Sequence, residues 1–152
     1  MNQDERDRIV LWRELLEAHD ALTKRFQAEL KGEFGLSVPQ YDALYRLSVA
    51  PDQVCRMGEV ADAMLYSTGA ATKVFDRLVE RGLVQRSTDP EDRRTVLVQL
   101  TPEGRSLMQR AARAHGRSIV DALGPFDSAT ERAHVSGFLR RLKERETARA
   151  RR

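Results

Sequence analysis

Cysteine is all but missing from this chain. There is one in 152 residues, Cys55, which excludes an intrachain disulfide framework. With three dispersed histidines, His19, His115 and His134, it offers none of the clustered spacing that a metal site requires. No metal and no cofactor are expected. No apolar run is long enough to cross a bilayer, so a membrane is not an expected partner. The opening residues, MNQDERDRIV, lack the basic start, apolar stretch and small-residue cleavage site of a signal peptide, and the expected location is cytoplasmic. The sequence also shows no nucleophile set beside a base, and its glycines in LYSTGA and ERGLV do not have the spacing of a phosphate-cradling loop. Catalysis is therefore not expected.

What is present is a globular balance of 32% charged and 41% apolar residues, in a length that suits one domain with a real core. The net charge is +3 and the isoelectric point about 9.3. Basic residues gather near the end: Arg140, Arg141, Lys143, Arg145, Arg149, Arg151 and Arg152. They suit a polyanion weakly. They suit equally a solvated helix that ends, over 147–152, in a disordered tail.

Periodicity sets the order of elements. From Asp4 to Lys31, Ile9, Trp12, Leu15, Leu16, Leu22, Phe26 and Leu30 recur at helical steps, and Gly32 and Gly35 end the helix. Its apolar stripe is longer than a small domain can cover, which calls for a second chain. Ser37 with Gln40 is a capping box that opens a second helix, stopping before Ala50-Pro51-Asp52. A short helix follows with Met57, Val60, Ala61 and Met64 on one side. The next has Ser67 as N-cap and Gly82 as its stop, with Ala71, Val74, Phe75 and Leu78 as its core face. Two strands, Leu83 to Ser87 and Thr95 to Leu100, flank the polar tip TDPEDRR. Thr101-Pro102 starts a helix to about Leu123, and Ser128 with Glu131 caps the last one, which carries Val135, Phe138, Leu139 and Leu142.

This order predicts a mainly α fold with a small β-hairpin: a winged helix-turn-helix domain over 37–101, with helical dimerisation regions at 1–36 and 102–146. A helix that enters a major groove needs small side chains, donors and cations on its outer face. Ser67, Thr68, Gly69, Thr72, Lys73, Asp76 and Arg77 are the candidate recognition residues. Wing arginines suit the negative potential of the neighbouring minor groove. Asp92, Arg93 and Arg94 are the candidate wing residues. Strand parity points Arg93 outward and turns Arg94 back toward the domain or a phosphate, with Asp92 holding one guanidinium. On the other reading the tip is a solvated turn whose charges neutralise one another.

The run VADAMLYSTGAATKVFDRLVERGLVQRSTDPEDRRTVLVQLTPEGR, Val60 to Arg105, resembles the core of the MarR family, the multiple-antibiotic-resistance type of bacterial transcriptional regulators. The resemblance lies in LVERGLV at the end of the recognition helix, DPEDRR in the wing and LTPEG at the start of the next helix. Leu65 departs from it, standing where the family usually has a glycine. The resemblance implies a homodimer with interlocked terminal helices, each winged domain on half of a pseudo-palindromic operator in double-stranded DNA. It further implies a repressor that a small aromatic or phenolic effector releases.

Trp12, His19, Phe34, Tyr41 and Tyr45 are the residues best able to line an effector pocket; Trp12 and His19 suit the dimer core equally. Two alternatives stay open. One is a dimeric winged-helix adaptor acting through protein contacts; the other is a redox-responsive regulator using Cys55, with Arg56 beside it favouring the thiolate.

Overall fold

The computed structural model describes residues 1–64, 68–124 and 128–150. It falls into two compact units, Met1–Gly116 and a second from Arg117 onward. The order is α1 (Gln3–Phe34), α2 (Val38–Val49), β1 (Val54–Arg56), α3 (Met57–Ala63), α4 (Thr68–Glu80), β2 (Val84–Thr88), β3 (Val96–Leu100), α5 (Pro102–Ala122) and α6 (Ala129–Ala150). Helices dominate and the only sheet among the described residues is small.

Local chemistry sets the ends of these elements. Asn2 and Glu5 form a reciprocal capping box at the start of α1, each side chain bonded to the other's backbone N–H at 2.8 Å. The helix stops at Gly35, whose φ of 64° is left-handed. Gly32 lies inside α1 and ends nothing, because no residue before Gly35 leaves the helical region. The Ser37–Gln40 box opens α2 as the sequence indicates. Thr101 caps α5: its Oγ1 accepts from the Gly104 N–H and donates to the Gly82 carbonyl, tying the helix start to the turn before β2. Gly104 must be glycine, since a Cβ there would run into the Leu83 carbonyl.

The sheet has three strands in the order β1-β3-β2, all antiparallel. β2 and β3 are the expected hairpin, in register from Val84 opposite Leu100 to Thr88 opposite Val96. β1 is an addition to the sequence reading. Cys55 pairs with Val98 on the far side of β3, so the wing is sewn to the chain just before α3.

One core serves the first unit. Leu30, Leu36, Leu44, Leu47, Phe75, Leu78, Val84, Val98, Leu100 and Met108 are fully or almost fully buried. At roughly 1.5–3 kcal/mol for each large apolar side chain removed from water, this cluster dominates the unit's stability. Leu30 and Leu36 belong to it, so 1–36 does not separate from the winged domain at its boundary.

In the second unit α6 has no buried residue; Val135, Phe138 and Leu139 are exposed. Its helix runs on to Ala150, so 147–150 are helical where the sequence suggested a disordered tail.

Candidate nucleic-acid interface

The face of α4 opposite the core is the candidate reading face. Ala71, Phe75 and Leu78 point inward and are fully buried. Four-residue steps then line up Gly69, Lys73 and Arg77 on the exposed side, beside Ala70. Thr72 is half-buried at the flank. Thr68 begins the helix, and Ser67 and Leu65, named above as N-cap and as a departure in the turn, lie outside the described residues. Asp76 is not a free reader: its carboxylate accepts from Arg86 Nη1 of β2 at 2.8 Å. That pair ties α4 to β2. Arg81 is likewise occupied, donating to the Gly35 and Phe34 carbonyls and so closing the end of α1. The cations left to this side of α4, among the described residues, are Lys73 and Arg77.

The wing tip is wound by its own carboxylates. Asp89 N–H donates to the Thr95 carbonyl at 3.0 Å, and Asp89 Oδ1 accepts the Glu91 N–H at 2.9 Å. Asp92 takes the Arg94 N–H at 3.0 Å and the Thr95 hydroxyl at 2.7 Å. These two bonds, Thr95's first, and the charge of Arg56 hold the Asp92 carboxyl below its ordinary range. Asp92 therefore does not clamp a wing guanidinium. Arg94 does not turn back either: both Arg93 and Arg94 are exposed, and neither makes an ion pair among the described residues. The carboxylates that could have drawn Arg94 inward are already engaged. Asp89 is the other surprise, only 8% exposed although it belongs to the tip; Arg56 Nη2 reaches it at 3.4 Å.

The candidate effector residues do not converge. Tyr41 and Tyr45 stack at 6.3 Å, and Tyr41 meets His115 edge-on at 4.8 Å. Phe26 meets the same imidazole, also at 4.8 Å. Phe34 is half-buried against the core. Trp12 and His19 are exposed on α1. At about 1.5 Å of rise per residue Trp12 lies roughly 21 Å along α1 from Phe26, so it cannot share a pocket with Tyr41 in one chain. The residues missed in this group are Phe26 and His115. The spacing of Met108, Ala111, Ala112 and His115 puts the histidine on the buried face of α5, a signal available in the sequence. Burial lowers its pKa, opposed by Glu29, and its Nδ1 is buried without a hydrogen-bond partner among the described residues.

The surroundings of Cys55 disfavour a thiolate. Burial, then Glu59, pushes the thiol above its ordinary range, and Arg56 is drawn to Asp89 instead.

Comparisons with known proteins agree with this geometry. Residues 34–95 match the model of the MarR family. The regulator PecS of Dickeya dadantii is 29% identical over 119 residues, 74% of this chain and 68% of PecS. Across PecS and two further regulators the chain spans 58% to 68% of their length. Among solved structures, AbsC of Streptomyces coelicolor, a MarR family regulator, superposes with a TM-score of 0.86 at 24% identity, covering 97% of each chain. A mutant of Escherichia coli MarR, solved in complex with operator DNA, has a TM-score of 0.78 at 25% identity over 90% of this chain and 95% of its own. With a helix that keeps one face in the core and a cationic face outside, framed by a wing, and with residues 34–95 matching the MarR family model, this chain is similar in sequence and fold to the MarR family of winged-helix transcriptional regulators.

Proposed function

We propose that the protein binds a pseudo-palindromic operator as a homodimer in the cytoplasm and represses transcription until a small ligand releases it. The observation that carries the DNA-binding part is the pairing of two cationic features on the first unit. Lys73 and Arg77 lie exposed along α4, and Arg93 and Arg94 stand at the wing tip without partner carboxylates among the described residues. Readers of base edges and neutralisers of phosphate are thus both present. An adaptor acting only through protein contacts would have no use for them.

Dimerisation is supported by apolar surface that each unit leaves in water. On α1 these are Ile9, Val10, Leu11, Trp12 and Leu16; in the second unit, Ile119, Val120, Leu123, Val135, Phe138 and Leu139. A cleft of 340 Å³ lined by Leu123, Val135 and Leu139 interrupts the latter surface, where a side chain of a second copy would fit. Patches of this extent mark interfaces. Ligand release rests on the family resemblance and on the aromatic group around Tyr41 and His115.

Selection of bound sequences from random duplexes tests the central claim. The expected product is an inverted repeat with half-site centres about 10 base pairs apart, the spacing that two-fold symmetry imposes. Recovery of no enriched sequence would refute it.

A further inference from the structure

Arg56 occupies a position that local helix chemistry does not explain. It is the last residue of β1 and the N-cap of α3, yet it makes no side-chain cap bond. A cation at a helix N-terminus opposes the helix dipole, and Ser, Thr, Asp or Asn is the favoured type there. A residue that breaks a local rule is compensated elsewhere.

The compensation lies in the wing. Arg56 Nη2 stands 3.4 Å from Asp89 Oδ2, and Asp89 is almost fully buried. A carboxylate so placed is costly without a counter-charge. The other oxygen of Asp89 holds the Glu91 N–H, and its own N–H holds the Thr95 carbonyl. Asp89 is thus the knot from which the tip is wound, and Arg56 grips it from the start of the helix-turn-helix. The field of Arg56 also reaches Asp92.

We infer that Arg56 is a positioning residue for DNA binding: it fixes the wing to the head of α3 through Asp89, and it offsets the two carboxylates that would otherwise repel phosphates beside Arg93 and Arg94. This rests on the DNA-binding reading, but its first consequence appears without DNA.

The test compares wild type with Arg56→Ala, Arg56→Lys, Asp89→Asn and the Arg56→Ala/Asp89→Asn pair. Amide hydrogen exchange in the free protein should be about three- to fivefold faster at Asp89 and Glu91 in Arg56→Ala, the size expected of one partly exposed ion pair, and partly restored in Arg56→Lys. Affinity for the selected operator should fall by a similar factor, with an unchanged salt slope and a melting temperature lowered by no more than the few degrees that one partly exposed ion pair accounts for. The double variant should bind no worse than the weaker single variant, the sign of one shared interaction. A salt slope reduced by about 0.9 per protomer with normal wing exchange would make Arg56 a direct phosphate contact and overturn the inference. So would unchanged exchange and affinity, or a melting temperature that falls by more than those few degrees. If wild type binds no duplex while Arg56→Ala still loosens the wing, the DNA-binding reading fails and the anchoring stands.

Discussion

Helix α4 segregates its apolar residues onto one face along its whole length, whereas α6 carries only a short apolar cluster in an otherwise polar helix, and the two sets of apolar side chains meet different fates. α4 sinks Ala71, Phe75 and Leu78 completely into the core formed with α2, α3 and the sheet. α6 buries nothing, and its Val135, Phe138 and Leu139 remain in water. A helix 13 residues long meets enough neighbouring surface within its own unit. One of 22 residues, in a unit holding besides it only the end of α5, does not. On the proposed homodimer, fold stability belongs to the first helix and assembly to the second, and substitutions on the two should separate cleanly.

The largest effect should come from replacing Phe138 and Leu139 together with aspartate. If a second copy covers them, two unpaired charges enter an apolar contact, and the dissociation constant of the dimer should rise at least about a hundredfold, by the several kcal/mol that such burial costs. Light scattering should then report the 17.3 kDa chain in place of twice that mass. Wild-type and variant masses that agree would remove the contrast. Phe75→Ala should act on α4 in the opposite sense, lowering unfolding free energy by about 3–5 kcal/mol as a buried aromatic is removed. Urea denaturation measures it, and a change below about 1 kcal/mol would mean that α4 is not the keystone of the core.

Arg93→Ala should leave that stability nearly untouched, since the side chain is exposed and makes no ion pair among the described residues, while weakening binding to operator and unrelated DNA alike. The salt slope should fall by about 0.9 for each phosphate no longer neutralised, hence near 2 in a dimer. Arg94→Ala should behave the same way, because Arg94 does not fold back. Affinities equal to wild type across about 50 to 200 mM salt, where phosphate neutralisation weighs heavily on binding, would show both arginines to be idle. Lys73→Ala should change base preference more than affinity for random DNA, by about 1–3 kcal/mol at one position of the site.

The smallest effect concerns pH. His115 has a pKa lowered in the fold by burial among Phe26 and Tyr41, against the pull of Glu29. The unfolded chain therefore binds more protons than the fold as pH falls through the ordinary value of 6.5. Stability should be full above that value and decline below it, with a slope under about 1.4 kcal/mol per pH unit. His115→Phe, matched in shape and unable to titrate, should flatten the decline.

The order and type of the helices, the hairpin and the cap chemistry at Ser37 and Thr101 were legible from the sequence, because periodicity and capping are local. So was the charged hairpin tip with its paired arginines, since DPEDRR needs only its neighbours to be read. Tertiary structure alone decided the partners of charges. Asp76 goes to Arg86, ten residues on, and Asp89 to Arg56, thirty-three back; no local pattern joins residues so far apart. It also decided that β1 adds a third strand, since three residues carry too little alternation to announce themselves. It likewise separates the candidate pocket residues within one chain: Trp12 and Tyr41 share a composition that suits a ligand, but rise along α1 keeps them apart there. Sequence determined which faces are apolar and which are charged. Only packing determined which of those faces the chain could satisfy by itself, because that depends on how much surface other elements bring within contact distance.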